Sequence, residues 1–199
     1  KADGKTKETA VTTRDIFGDY IHKYYYNQSI ADGFTLRLIR EDIETSYKET
    51  LQVVHEEIQK GTLDKKSIFA HPRYVSPMLD FILDDFTRAR EIIFGDQSIG
   101  GMVVCDSSEQ ARELHKQLEE RRKAGLTSFT STLILHDAGD KEYKKEEVDK
   151  FKDGLTDFVI VYSMLLTGLD APRLKRLYLG RKIKEHNLLQ TLTRVNRPY

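Results

Sequence analysis

Two arginines near the carboxyl end of the chain have the residue type and the spacing that bind phosphate. Gln190, Arg194 and Arg197 stand at i, i+4 and i+7, so a helix of about 3.6 residues per turn would place them on one stripe. A guanidinium is permanently charged, planar and fork-shaped, and it suits phosphate oxygens better than other side chains do. The opposite stripe is apolar, with Leu188, Leu192 and Val195. The spacing fits a phosphate site and also fits solvated arginines, with Gln190 as the capping partner of Asn187.

The elements before this helix would hold it in place. Residues Phe158–Tyr162 are apolar or aromatic without alternation, which is typical of a strand covered on both faces in a parallel sheet. The chain then turns through Thr167–Pro172 into a further strand. The pattern also predicts earlier strands and helices in alternation, at Met102–Cys105, Glu109–Lys123, Thr132–His136 and Glu142–Lys152. This order predicts an α/β fold with a mainly parallel sheet.

Ser107 and Ser108 are a second candidate site. They follow the predicted strand Met102–Cys105 and precede a helix. The free amides of a helix start at the carboxyl edge of a parallel sheet bind phosphate groups. Ser107 and Gln110 also have the spacing of a capping box, so the serines have a structural role in either case.

Two polar pairs are weaker candidates. His136 and Asp137 end a predicted strand, but the sequence ties no serine or cysteine nucleophile to them. Asp84 and Asp85 are predicted on the outer face of a helix, where adjacent acids are usually solvated charge.

The amino-terminal part of the chain predicts helices more than strands. Apolar residues recur at three- and four-residue steps between Glu41 and Lys60, which predicts an amphipathic helix. A short strand is expected at Ser67–Ala70. A second helix is expected from Ser76 to Phe94, with Ser76–Pro77 as its start.

Composition limits the classes of function. The 199 residues include 32 basic and 32 acidic side chains, so no global basic field recruits nucleic acid. Any contact with nucleic acid must therefore be local. The segment Ala171–Tyr199 has eight basic residues and one acidic residue, Glu185. This local excess fits either a phosphate-backbone contact or a solvated loop. No apolar run reaches the roughly 20 residues of a membrane span, so no membrane partner is expected. A single cysteine, Cys105, excludes an internal disulfide and suits the cytoplasm.

The strand, turn, strand and arginine-bearing helix at the end of the chain resemble motifs V and VI of superfamily 2 helicases and translocases. The two sequence motifs are most similar to those of the motor subunit of type I restriction enzymes. It stands here as MLLTGLDAP at Met164–Pro172 and LLQTLTRVNRPY at Leu188–Tyr199. The phrase from Tyr24 to Gly33 is similar to the segment that follows the first motor domain in those subunits. Ser163 and Thr193 depart from the residues usual in related motors.

The resemblance implies a RecA-like three-layer domain at residues 61–199, the second of a two-lobed motor and truncated at its carboxyl end. Residues 1–60 would be a partly helical connector from the first motor domain. Arg194 and Arg197 would reach the γ-phosphate of ATP. The resemblance also implies nucleotide-cleft residues Gly168, Asp170 and Gln190, and DNA-backbone contacts from Ser107, Ser108 and Thr167.

The chain lacks the motifs of a complete motor. A phosphate-cradling loop of the G-x-x-x-x-G-K-[ST] type and an acidic Mg²⁺ ligand are needed for ATP hydrolysis, and neither stands in a suitable context. We therefore expect neither ATPase nor nuclease activity from the 199 residues alone, and no metal site. The parent protein is expected to be an ATP-dependent type I site-specific deoxyribonuclease that uses ATP and Mg²⁺.

Expected partners are double-stranded DNA, the first RecA-like domain, and the modification and specificity subunits. Two alternatives stay open, namely a lobe of another DNA or RNA helicase and a non-catalytic nucleic-acid-binding module of the same fold.

Overall fold

The sheet is built from strands that all run in the same direction. A computed structural model describes residues 45–60, 69–162 and 169–180, with the single positions 28 and 31. The chain divides into two units, Lys1–Thr35 and Leu36–Tyr199, and every element below belongs to the second. The four strands are β1 (Gly100–Val104), β2 (Ser131–Ile134), β3 (Phe158–Val161) and β4 (Leu174–Leu179). Their order is β2-β3-β1-β4, and each neighbouring pair is parallel.

The helices lie on both faces of this sheet. They are α1 (Thr45–Gln59), α2 (Pro72–Arg88), which continues as a π-helix (Ala89–Ile93), α3 (Ser108–Lys123) and α4 (Lys141–Lys152). One buried cluster joins α2 and α3 to Val103, Phe158 and Ile160. The other joins Phe151 of α4 to the alternate strand residues, among them Met102 and Val159. Because β1 and β3 are in register, alternate residues face opposite layers. The predicted α/β fold with a parallel sheet and three layers is confirmed.

The start of α2 differs from the prediction. His71 caps the helix, its side chain accepts a hydrogen bond from the Arg73 amide, and Pro72 occupies the first turn. Pro77 lies inside the helix, although Ser76–Pro77 was the predicted start. Both prolines follow a residue that can cap a helix, and the helix begins at the earlier proline, Pro72. Residues 69 and 70 form a turn, so the predicted strand Ser67–Ala70 is wrong there, and residues 67 and 68 lie outside the described residues.

The other boundaries agree with the predicted ones to within three residues where they are described. Within the predicted helix from Glu41 to Lys60, the structure describes α1 from Thr45 to Gln59, and residues 41–44 lie outside the described part. The proposed domain boundary at residues 60 and 61 stays a prediction. None of the helices in the described ranges is long and apolar enough to cross a membrane.

Two adjacent glycines in β1 make room for aromatic rings on opposite faces of the sheet. A Cβ on Gly100 would lie 2.6 Å from the Phe151 ring, and a Cβ on Gly101 would lie 2.8 Å from the Phe158 ring. Neither ring is exposed to solvent by more than 1%. The glycine pair therefore lets Phe151 of α4 and Phe158 of β3 pack directly against β1.

A buried ion pair joins the amino ends of three strands. The Arg90 Nη2 atom lies 2.5 Å from Asp157 Oδ1, and the Arg90 guanidinium also donates to the Ile99 carbonyl. The other carboxylate oxygen of Asp157 accepts from the Thr130 amide and hydroxyl at 2.8 and 3.0 Å. Ile99, Thr130 and Asp157 directly precede β1, β2 and β3. One arginine of the π-helix therefore connects the starts of all three strands, with Asp157 as its link to Thr130.

A second buried arginine, Arg173, binds carbonyls at the same edge. Its Nε donates to Ser98 O at 2.8 Å, and its Nη1 donates to Phe151 O and Thr156 O at 2.6 and 2.5 Å. Its guanidinium also lies 4.9 Å from the centre of the Phe151 ring. Arg173 thereby ties the start of β4 to the end of α4 and to the entries of β1 and β3.

Asp85 is buried, so the prediction that it is solvated charge is wrong. Its carboxylate accepts from the Tyr178 hydroxyl at 2.8 Å and from Arg88 at 3.1 Å, and Arg176 Nε lies 3.5 Å away. Met78, Ile82, Asp85 and Ala89 follow each other at steps of four, three and four residues. This helical spacing puts Asp85 on the apolar stripe.

We predict that Arg90→Met lowers the free energy of unfolding by about 3 kcal/mol, because it leaves the partly buried Asp157 carboxylate without its cation. Urea titration followed by circular dichroism would measure the change. Arg122→Met is the matched control, since Arg122 forms an exposed ion pair with Glu119 three residues away, and its curve should overlay that of the unchanged protein. Equal midpoints for all three proteins would show that the Arg90 pair adds nothing to stability.

Candidate functional site at the carboxyl edge

The carboxyl edge of the sheet is where β1 and its neighbours end. The Cys105 amide donates to Val161 O of β3 at 2.8 Å, and the Gly180 amide donates to Val104 O at 2.8 Å. A Cβ on Gly180 would lie 3.1 Å from Val104 O and 3.2 Å from Met78 Cε. Hydrogen bonds thus join the carboxyl ends of β1, β3 and β4, and α3 begins beside them.

Ser107 caps α3 as the sequence predicts. Its Oγ accepts from the Gln110 amide at 3.1 Å. The reciprocal half of the predicted capping box is shifted by one residue, because Gln110 Oε1 accepts from the Asp106 amide at 2.7 Å. Gln110 is completely buried, and its Nε2 lies 3.8 Å from Met78 Sδ. Gln110 therefore fixes the loop that carries the two serines.

A carboxylate of the chain already lies at the start of α3. Ser108 Oγ donates to Glu109 Oε2 at 3.2 Å. Hydrogen bonds from the Glu109 backbone amide and from the hydroxyls of Ser108 and Ser107, together with the charge of Arg112, lower the pKa of Glu109. An acid in the first turn of a helix is favoured by the helix dipole. An incoming phosphate would have to take the place of this carboxylate.

Arg112 links α3 to the loop after β2. Its Nη2 lies 2.9 Å from Asp137 Oδ2, and this guanidinium lowers the pKa of Asp137. The neighbouring His136 accepts from Lys144 Nζ through its backbone carbonyl at 2.8 Å. Asp137 is thus held by an arginine, and the contacts of the His136–Asp137 pair fit a structural link between α3 and α4.

Cys105 is a core residue, as the sequence suggests. Its side chain is fully buried. Burial and the nearby charge of Asp106 raise the pKa of its thiol to about 12. The thiol therefore stays protonated near neutral pH, and a protonated thiol is a weak nucleophile.

The structure describes three of the eight predicted site residues. Ser107 and Ser108 are half-buried at the start of α3, whereas Asp170 is exposed in the connection that enters β4. Leu169 and Ala171 on either side of Asp170 are buried in the core cluster of the α4 layer. The other predicted residues lie outside the described residues, namely Thr167, Gly168, Gln190, Arg194 and Arg197. The roles of all eight stay predictions.

Part of the basic excess after Ala171 is committed to the fold. Arg173 is buried against three carbonyls, and Arg176 lies beside the buried Asp85. Partial burial lowers the pKa of Lys175, which lies near Asp96. The two arginines therefore have structural roles, and a phosphate-backbone contact from this segment would depend on its later basic residues.

Sequence reasoning missed three contributors to this edge. Glu109 was overlooked although an acid in the first helical turn is a recognisable signal. The Asp106 amide as partner of Gln110 is a local contact, but it lies one residue away from the amide that a capping box would use. The tight fit of Gly180 depends on contacts with Val104 and Met78, which are distant in the chain. Across residues 45–60, 69–162 and 169–180, no group of three or more His, Cys, Asp or Glu side chains could hold a metal ion.

We predict that Gln110→Met lowers the free energy of unfolding by about 1–3 kcal/mol, because it leaves the Asp106 amide without its acceptor. The two side chains have similar volumes, so the core should change little. Gln117→Met on the same helix is the control, because Gln117 is only partly buried and its amide donates to Pro72 O and Glu113 Oε1 without accepting from a backbone amide, so this change should cost less. Amide hydrogen exchange at Asp106 should also accelerate in Gln110→Met, and unchanged exchange there would contradict the assigned role.

Comparison with known proteins identifies relatives along most of the chain. The HindI type I restriction enzyme endonuclease subunit of Haemophilus influenzae is 26% identical over 215 residues, which covers 94% of this chain and 20% of the relative. A protein assigned as the MjaVIIP endonuclease subunit of Methanocaldococcus jannaschii is 58% identical over 230 residues, covering 90% of this chain and 21% of the relative. The chain therefore spans about a fifth of the length of these curated relatives.

A solved structure has the same fold. It is a fragment assigned as an HsdR subunit of a type I restriction enzyme from Vibrio vulnificus YJ016, with a TM-score of 0.59 and 17% identity. The match covers 94% of this chain and 33% of that chain. The model of the family "Type I restriction enzyme subunit R domain 3" matches residues 86–199. These residues include all four strands and more than half of the sequence, and the chain belongs to the type I restriction enzyme subunit R family.

Proposed function

We propose that this chain works as a motor domain of a type I restriction enzyme R subunit in the cytoplasm, where ATP hydrolysis drives translocation along double-stranded DNA. The observation that carries the proposal is the family match over residues 86–199, which contain every predicted site residue. The fold supports it, since open parallel sheets bind ligands outside the carboxyl ends of their strands. The rest of a longer R subunit would supply the remaining parts of the motor and the nuclease.

The proposed nucleotide site uses the two arginines of the last helix. Arg197 and Arg194 reach the γ-phosphate of ATP held by an earlier RecA-like domain of the same subunit. An arginine supplied from outside the phosphate-binding loop stabilises the charge that develops in phosphoryl transfer. Gly168, Asp170 and Gln190 line the same cleft in this proposal.

Mg²⁺ supplies charge neutralisation at the phosphates in enzymes of this class. The described part of the chain offers no cluster of three metal-binding side chains. In this proposal the Mg²⁺ ligands, like the phosphate-cradling loop, belong to the domain that holds ATP.

The proposed DNA contact lies at the start of α3. The Ser107 cap leaves amides of the first turn facing the carboxyl edge, where they suit a backbone phosphate. Ser108 and Thr167 would contribute hydroxyls. Glu109 is the local obstacle, because its carboxylate accepts from Ser108. The target sequence would be read by the specificity subunit, with the modification subunit completing the complex.

We predict that Arg197→Ala, in an intact R subunit assembled with its modification and specificity subunits, lowers DNA-stimulated ATPase activity by about 10³-fold or more. DNA binding should stay within about twofold, since the arginine faces the nucleotide and makes no phosphate-backbone contact. Steady-state ATPase assays and filter binding would measure the two quantities.

Arg197→Lys separates charge from geometry, because lysine keeps the charge but lacks the planar fork. It should also be strongly impaired. Arg122→Ala on the exposed face of α3 should retain full activity. An R subunit whose ATPase survives Arg197→Ala would refute the motor role of this residue, and ATPase activity from the isolated 199 residues would refute the division of the site between two domains.

We predict that Glu109→Gln tightens binding to non-specific duplex DNA by about threefold to tenfold at low salt, because it removes an anion beside the proposed phosphate. Titration of fluorescent DNA at several salt concentrations would measure this. Glu120→Gln is the matched control, with the same charge change at the other end of α3. Equal gains from both variants would show a general charge effect and would contradict a phosphate contact at the start of α3.

A further inference from the structure

β2 lies at one edge of the sheet, and its own sequence carries no charge. Among the described residues it pairs with β3 alone, and β4 forms the opposite edge. The run Ala124–His136, which contains β2, has no Lys, Arg, Asp, Glu or Pro, although charged residues make up 32% of the chain. Its second half, from Phe129 to Leu135, is rich in aromatic, β-branched and other apolar residues. An uncharged edge strand of this kind pairs readily with a strand of another molecule.

The opposite edge strand differs in this respect. β4 contains Lys175 and Arg176 within the strand itself, and charged side chains on an edge strand oppose pairing with a second molecule. β2 begins instead with the uncharged residues Ser131 and Thr132. Any charge that protects the outer edge of β2 therefore has to come from another element of the fold.

Helices on opposite faces of the sheet contact these two polar residues of β2. On one face, His115 Nδ1 of α3 lies 2.8 Å from Ser131 Oγ. On the other face, the Thr132 hydroxyl donates to Glu147 Oε2 of α4. Successive residues of a strand point to opposite sides of a sheet. The start of β2 is thus held from both sides, by α3 and by α4.

Glu147 brings a carboxylate against this uncharged strand. Its side chain is 12% exposed, and its second oxygen, Oε1, accepts from Lys150 Nζ at 2.8 Å. Burial opposes the charge of Glu147, but hydrogen bonds from Lys150 and Thr132 outweigh burial and lower the pKa of this carboxyl group. Glu147 is therefore ionised at neutral pH.

His115 and Glu147 flank the outer edge of β2. The inner side of the strand is filled by β3, where the buried Val159 is in register with Thr132. Burial lowers the pKa of His115, against the charges of Glu119 and Glu147. The charge of His115 in turn helps to lower the pKa of Glu147. These two side chains thus influence each other although their helices lie on opposite faces of the sheet.

We propose that Glu147 protects the outer edge of β2 from pairing with the same strand of a second copy of this chain. A strand added beside β2 would place its own side chains against Glu147 and Lys150 and would remove both charges from water. The desolvation of charged groups opposes such pairing. The protecting charge lies on α4 and is brought to the edge by the fold, so the sequence of β2 can stay uncharged.

Self-association of the 199-residue chain tests this proposal. Glu147→Gln removes the charge and keeps a hydrogen-bonding side chain of similar size. Glu146→Gln is the matched control, because Glu146 makes the same charge change one residue away, also pairs with Lys150, at 3.0 Å, and is 64% exposed. Glu147→Asp retains the charge and separates it from the exact packing of the side chain. Sedimentation velocity over a range of concentrations measures association, and hydrogen exchange of the peptide that contains β2 locates the contact.

We expect Glu147→Gln to associate at concentrations about tenfold or more below those at which the unchanged chain does, because pairing no longer buries a carboxylate. Hydrogen exchange in β2 should slow in the associated species. Glu146→Gln and Glu147→Asp should behave like the unchanged chain.

Equal association of Glu147→Gln and Glu146→Gln would overturn the proposal, and so would association of Glu147→Asp to the same extent as Glu147→Gln. Association that leaves hydrogen exchange in β2 unchanged would place the contact elsewhere and would also overturn it. Fast exchange in β1 of the associated Glu147→Gln variant would show that unfolding causes the association, and it would contradict a protecting role of the charge.

Discussion

The Arg90–Asp157 ion pair is the interaction on which the arrangement of the strands depends. Parallel strands share no tight hairpins, so their entries must be brought together by contacts between distant residues. Arg90 does this from the first turn of the π-helix, with its guanidinium 4.6 Å from the Phe86 ring centre, while Asp157 binds Thr130. Arg173 likewise brings the starts of strands together, from its position before β4. The carboxyl edge can then carry exposed polar residues, because the contacts at the amino edge hold the strands in place.

The two edges of the sheet differ in chemistry for this reason. At the amino edge Arg90 and Arg173 are buried, and they bind backbone carbonyls and, in the case of Arg90, the Asp157 carboxylate. At the carboxyl edge Ser107, Ser108 and Glu109 remain accessible at the start of α3, and their contacts are local to the first turn. Local hydrogen bonds can be exchanged for a ligand at small cost, whereas loss of one partner of a buried ion pair leaves the other charge uncompensated. The edge suited to reversible binding is thus the one that contributes least to holding the fold.

The sequence predicts the strands and helices that depend on local patterns of residues. The strands around Met102, Leu133 and Val159 are short apolar runs, and α3 follows from its periodicity and its serine cap. Asp85 was misjudged because two adjacent acids were read by residue type, although the spacing from Ile82 and Ala89 puts it on the buried stripe. The structural roles of Arg173 and Arg176 could not be read from a count of basic residues, because their partners lie far away in the chain. The roles of Arg194 and Arg197 are inferred from a sequence motif and remain predictions.

The strand order also governs when the domain can form. β1 is an inner strand of the sheet, yet both of its neighbours come much later in the chain, since Gly101 pairs with Phe158 and with Arg176. Loop closure over such separations makes folding slow. During synthesis, α2 and β1 would leave the ribosome with their apolar faces uncovered until β3 and β4 follow. The inner position of β1 therefore delays formation of the sheet, because β4, the last strand in the described residues, pairs with a strand that begins some seventy-five residues before it.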